Sequence, residues 1–353
     1  MVTEFIDRIK AATAQKQALC IQGGGTKNWY GQAAQGDLLS TRSYAGIIDY
    51  DPSELVITAR CGTPLSEIKK VLAEQNQFLA FEPPSFGADA TIGGAVASGL
   101  AGPRRAYAGG VRDFVLGVVL LNGSAQRLTF GGQVMKNVAG YDVSRMLAGS
   151  MGSLGLLLEL SIKVLPVPHS EATLRFELSE SEALAKLNQW GGMPIPISAS
   201  SWEQGQLSLR LSGSEPAIQQ AKQQLGGEQL NADLAAQYWS ELNEQTAAFF
   251  QQTGALWRLS VPSTCPCIDL GAAQLIEWGG AQRWVYLPQN HNAQQLRQQI
   301  SAMGGHATLF KGGDKSIGVF QALPKPLFNV HQRLKSAFDP AGIFNPGRLY
   351  PEL

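Results

Sequence analysis

The chain has 353 residues, 28 Lys and Arg against 28 Asp and Glu, and four cysteines. That length leaves room for two domains with separate cores. The balanced charge gives no electrostatic reason to expect nucleic acid or an anionic membrane surface as a partner. Cys20, Cys61, Cys265 and Cys267 are too few and too scattered for a disulfide scaffold, which points to a reducing compartment. Cys265-Pro266-Cys267 reads as a loop with two ordinary thiols, because no second Cys or His pair lies near it to complete a metal site.

In chain order, the N-terminus spaces Phe5, Ile6 and Ile9 on one helical face and has no signal-peptide core. No apolar run reaches the length needed to span a bilayer, so the expected location is the cytoplasm. Next comes "CIQGGGTK", an apolar run followed by Gly23, Gly24, Gly25, Thr26 and Lys27. A Rossmann fingerprint fails on its glycine spacing and on the missing acidic residue. A Walker loop fails on the placement of the lysine. Two readings stay open: a cradle of backbone N–H groups for a nucleotide phosphate, or a tight turn without a ligand.

"SELVITARCGTPLSEIKKVLAEQ" predicts a strand, a turn and a helix, with Thr63 as N-cap, Pro64 at the first helical position and an apolar stripe of Leu65, Ile68, Val71 and Leu72. Small residues then dominate 82–102, where Gly93 and Gly94 follow Thr91-Ile92. Val115–Leu121 and Leu154–Val164 predict strands, flanking a third glycine-rich stretch over 133–155. Backbone pared down on three loops is what close approach to a large planar ligand requires.

Pro166-Val167-Pro168 ends this region. The glutamine-rich chain beyond it alternates strands and helices in a β-α-β-β-α order, half of a ferredoxin-like sandwich. A helix is expected over 326–338, before "DPAGIFNPGRLY". The expected division is a first domain over 1–168, a second over 169–323 and a C-terminal segment over 324–353.

"GGGTK", "ADATIGG", "VRDFVLGV", "KNVAGYDVSRMLAGSMGSLG" and "FDPAGIFNPGR" occur in that order. Together they resemble the vanillyl-alcohol oxidase / p-cresol methylhydroxylase (PCMH) flavoprotein superfamily, and within it the FAD-binding E subunits of bacterial glycolate oxidase (glycolate dehydrogenase). The resemblance covers nearly the whole chain. It implies an α+β fold, with a two-subdomain PCMH-type FAD-binding domain and a smaller ferredoxin-like α+β cap. It implies that Gly23, Gly24, Gly25 and Thr26 offer amides to the FAD diphosphate and that Lys27 supplies a countercharge. Each charge-assisted bond of that kind is worth about 1.5–3 kcal/mol net. Thr91, Gly93, Gly94 and Ser98 would line the adenosine–pyrophosphate side. Asn137, Val138, Ala139, Gly140 and Tyr141 would lie beside the ring, Gly149, Gly152 and Gly155 would let a loop close over the cofactor, and Asn345 would return to the ring region. The flavin is expected to be noncovalent, since Thr26 stands where tethered relatives carry a histidine.

Sister subunits that oxidise 2-hydroxy acids carry a metal-binding "HxGDGN"-type motif, which this sequence lacks. No metal site and no catalytic base are therefore assigned. His306, Lys311, Arg258, Arg283 and Arg210 all have structural explanations. The expected function is that of an FAD-carrying subunit of a complex oxidising glycolate to glyoxylate. A catalytic flavin (D) subunit and an iron–sulfur (F) subunit would be its partners, and electrons would pass to a non-NAD acceptor. Any attachment to the inner membrane would run through those partners. The alternatives are a self-contained flavin-dependent dehydrogenase of a D-lactate-like 2-hydroxy acid and a flavin-less structural subunit of the same complex.

Overall fold

The computed structural model describes residues 1–132 and 142–353. The chain forms two compact units, one of residues 1–100, 110–166 and 318–353, the other of 101–109 and 167–317.

In the first unit the helix Val2–Gln15 buries Phe5, Ile9 and Ala12. Strand β1 (Leu19–Gln22) pairs in parallel with β2 (Asp37–Ser40), and Leu19 bridges to Phe344 on its other side. A five-stranded antiparallel sheet follows the order β3-β4-β8-β6-β7. Its members are β3 (Ile47–Asp51), β4 (Val56–Arg60), β6 (Val115–Leu121), β7 (Arg127–Gly131) and β8 (Leu156–Lys163). A short pair joins β5 (Gln77–Phe78) to β9 (Leu165–Pro166). Phe5, Ile9, Leu39, Leu121, Leu156, Leu158 and Phe344 share one core, so the two ends of the chain are packed together by apolar burial.

The expected stripe holds, with Leu65, Ile68 and Leu72 buried in the helix Leu65–Ala73. Its start differs. Pro64 is the residue flanking the helix, and the Thr63 hydroxyl is spent on the carbonyl of Arg60 (2.7 Å) and the amide of Gly46 (2.9 Å). A tertiary partner has taken the hydroxyl that local spacing assigned to the helix end.

The second unit is one eight-stranded antiparallel sheet with order β13-β10-β12-β11-β15-β16-β14-β17. Its first half runs β10 (Ser170–Glu177), helix Glu180–Gly191, β11 (Ile197–Glu203), β12 (Gln206–Gly213), helix Glu215–Leu225 and β13 (Glu228–Gln229). That is a complete ferredoxin-like unit. Its second half, β14 (Ala255–Ser260), β15 (Gln274–Glu277), β16 (Gln282–Leu287), helix Ala293–Ala302 and β17 (His306–Lys311), repeats the strand order. The halves join where β11 pairs with β15, Trp202 opposite Ile276.

The second half lacks the first crossover helix, and a loop fills its place. Cys265 and Ile268 from that loop are buried in the same core as Leu296 and Ile300. Arg283, fully buried, donates to the carbonyls of Cys265 (2.6 Å) and Pro266 (2.9 Å) and so fixes the loop. The Cys-Pro-Cys stretch is thus a structural substitute for a helix.

Candidate functional site

The first unit contains a cleft of about 740 Å³, counting the part open to solvent. Its walls come from the turn after β1, the helix Ile92–Ser98 with Thr91 before it, the segment 151–157 that leads into β8, and the C-terminal segment. Of the residues singled out in the sequence, Gly23, Gly24, Gly25, Thr26, Lys27, Thr91, Gly93, Gly94, Ser98, Gly152, Gly155 and Asn345 all line it. Gly149 lies instead on a separate hollow, with Arg112 and Leu353. Asn137, Val138, Ala139, Gly140 and Tyr141 fall outside the described residues.

Residues 23–26 form the turn that follows β1. The Thr26 hydroxyl and Lys27 ammonium both donate to the Ser85 carbonyl, at 2.8 and 3.2 Å, and the Trp29 ring stands edge-on to Phe86 at 5.3 Å. These contacts press the turn onto the 82–87 loop. Among the described residues, the amides of Gly23, Gly24, Gly25 and Thr26 donate to no acceptor. Four adjacent N–H groups in a cleft, all left over by the fold, form a set of donors suited to an oxyanion.

The second glycine pair behaves differently. The amide of Ile92 donates to Thr63 O (3.0 Å), that of Gly93 to Cys61 O (2.8 Å) and that of Gly94 to the Thr91 hydroxyl (3.2 Å). The Ser98 hydroxyl donates back to Ala95 O (3.0 Å). These residues shape the wall, and their hydrogen bonds are spent inside the protein.

The glycines also let protein segments meet. A Cβ on Gly24 would overlap the carbonyl oxygen of Asp89, and one on Gly93 would lie 2.7 Å from both the Cβ and the carbonyl oxygen of Cys61. At these two positions bare backbone serves approach of one protein segment to another.

Asn345 ties three walls together. Its carboxamide oxygen accepts from Ile21 N (2.7 Å) and its nitrogen donates to Met151 O (2.6 Å). The segment that carries it is anchored by Lys335, whose buried ammonium donates to Ser153 O, Phe344 O and the Asp339 carboxylate, each at 2.7 Å. Burial pushes the pKa of Lys335 down, and hydrogen bonding and attraction to Asp339 oppose the shift.

Sequence reasoning passed over Cys61, Met151 and Arg348, which also line the cleft. Arg348 had a signal: it is the lone cation of the segment Asp339–Leu353 and stands three residues after Asn345. Burial pushes the Cys61 thiol up to about 12, so it stays protonated and unreactive at neutral pH. No histidine lines the cleft among the described residues, and no group of His, Cys, Asp and Glu there is arranged to hold a metal. Among the described residues no helix is long and apolar enough to cross a membrane.

An FAD binding domain family model matches residues 2–131, and the C-terminal domain model of FAD linked oxidases matches 314–349. The chain is 47% identical to glycolate oxidase subunit GlcE of Escherichia coli K12, over 99% of its own length and 97% of that protein. It is 30% identical to glycolate oxidase subunit GlcD of Bacillus subtilis, over 49% of this chain and 37% of that one. In three dimensions it is similar to an alkyldihydroxyacetonephosphate synthase, with a TM-score of 0.65 at 14% identity, covering 97% of this chain and 74% of that one. That likeness establishes the fold. With its α+β architecture and matching sequence over nearly all of its length, the chain belongs to the family of glycolate oxidase E subunits, FAD-linked oxidoreductases of the PCMH type.

Proposed function

We propose that this chain is the FAD-carrying subunit of a glycolate oxidase complex, holding its flavin noncovalently in the first-unit cleft. The observation that carries this is the run of four amides, Gly23 to Thr26, that have no acceptor among the described residues, in a cleft with no carboxylate among its described lining residues. The residues fit a dinucleotide diphosphate. Backbone donors and a buried guanidinium are the groups that compensate two negative charges removed from water.

When bound, FAD supplies a two-electron acceptor for oxidation of a 2-hydroxy acid. The chain's own part is to bind and orient. Gly23 to Thr26 hold the diphosphate, Thr91, Gly93, Gly94 and Ser98 shape one wall, and Gly152, Gly155 and Asn345 shape the facing one. Cys61, protonated, offers no thiolate for a tether.

No proton acceptor for glycolate is assigned to the chain. His306 and Lys311 stand exposed at the two ends of β17, in the other unit. Arg258 is stacked over Phe310, 5.5 Å from its centroid. Oxidation of glycolate to glyoxylate therefore belongs to the assembled complex, in which this chain works beside a second flavin subunit and an iron–sulfur subunit. Association with the inner membrane would come through those partners.

The test is chemical. Acid precipitation of the purified chain should release intact FAD into a yellow supernatant. Turnover of glycolate with an artificial acceptor should appear only when the partner subunits are added. A colourless protein that takes up no added FAD would end this reading. Full turnover by the chain alone would replace it with that of a self-contained dehydrogenase.

A further inference from the structure

Among the described residues, no carboxylate neutralises the buried guanidinium of Arg348 in the cleft. Arg348 is only 6% exposed. Its guanidinium donates to the carbonyls of Asn28 (3.0 Å) and Gln32, while its own carbonyl accepts from the amide of Gln32 (3.0 Å). These acceptors are neutral. Among the described residues no carboxylate pairs with Arg348, and the remaining stretch, 133–141, contains no acidic residue.

A buried cation without an anion is costly, and proteins retain one where a ligand supplies the missing charge. A guanidinium also suits a phosphate better than an ammonium does, because it presents a planar fork of donors. The nearby lysine is poorly placed for that task, since Lys27 donates to Ser85 and lies 5.6 Å over the Phe86 ring.

We propose that Arg348 is the countercharge for the diphosphate, and that through its hold on Asn28 and Gln32 it also sets the position of the loop bearing the free amides. This rests on the FAD reading and sharpens it. The charge expected from Lys27 comes from 321 residues further along the chain. Retention of the cofactor then depends on docking of the C-terminal segment.

The test uses full-length apoprotein titrated with FAD by flavin fluorescence, with ADP and adenosine as competitors. Arg348→Met should weaken FAD and ADP alike by about 30-fold, the loss of one charge-assisted contact, and leave adenosine within about twofold. Arg348→Lys, which keeps the charge, should recover most of that loss. Equal weakening of ADP and adenosine would mean that Arg348 only builds the wall, and would overturn the proposal. So would unchanged FAD affinity in Arg348→Met, which would leave the flavin reading standing. Conversely, a wild-type protein that binds ADP through Arg348 but refuses FAD would sink the flavin reading and keep the diphosphate site. Circular dichroism checks folding, and if the methionine variant does not fold, the neutral Arg348→Gln takes its place.

Discussion

Two glycine-rich stretches, 23–26 and 91–99, look interchangeable in the sequence, and the structure separates them. In the first, the amides have no acceptors among the described residues, while the glycine at 24 is pressed against the Asp89 carbonyl. In the second, the amides of Ile92, Gly93 and Gly94 are all bonded within the protein and Gly93 packs on Cys61. Glycine content marks where backbones crowd. Which of them still has donors to offer depends on what the crowding neighbours accept.

Substitution should separate the two stretches, most strongly at Gly24. Gly24→Ala places a methyl group on the Asp89 carbonyl with no side chain able to give way. It should cost about 3 kcal/mol in chemical denaturation and displace the free amides, so that FAD retention is lost with it. Gly93→Ala should cost somewhat less, about 2 kcal/mol, because the added Cβ would lie 2.7 Å from Cys61 where that of Gly24→Ala overlaps a carbonyl oxygen outright. Urea titration with FAD present and absent would sharpen the contrast: the cofactor should narrow the deficit of Gly93→Ala and leave that of Gly24→Ala.

Thr91→Ala removes the hydroxyl that accepts from Gly94 at 3.2 Å. The expected loss is about 1 kcal/mol in thermal unfolding, the usual value of an N-cap. Gly149→Ala, where a Cβ would meet nothing within 4 Å but φ is 82°, should also cost about 1 kcal/mol through backbone strain alone. It should leave FAD affinity unchanged, since Gly149 is not on the cleft.

The smallest effect lies in the other unit and serves as a control. Burial would raise the Glu171 carboxyl, but hydrogen bonds from Ser212 and Arg104 and the charges of Arg104 and Arg210 outweigh it, so its pKa is lowered overall. A lowered folded-state pKa means the contribution is present above the ordinary value of 4.5 and fades as pH falls through the folded value. Because Glu171 is 41% exposed, screening keeps this below about 1 kcal/mol. Glu171→Gln should flatten the acid limb of the stability curve of the second unit and leave FAD binding untouched.

Glu171 also bears on how the chain divides. The segment Ala101–Gly109 belongs to the second unit. Arg104 fixes it there, donating to Glu171 at 2.6 Å and Ser212 at 3.2 Å, and Trp278 adds a bond to the Gly102 carbonyl at 3.1 Å. Nothing in the local sequence separates 101–109 from its neighbours, because those partners lie 67 to 176 positions away.

Local signals were legible wherever the physics is local. Strand Val115–Leu121 and the helix ending at Phe338 follow from residue type and spacing. So does the turn of 23–26, and the order of motifs placed the chain in its family. What the sequence could not set was the fate of each hydrogen bond. Thr63 serves a distant loop, Gly93 gives its amide to Cys61, and Arg348 brings its charge to a loop at the opposite end of the chain. A side chain's type and its near neighbours are fixed by covalent order. Which donors remain unpaired and which charges stay buried without a partner are settled only when segments hundreds of residues apart are packed together and water is removed.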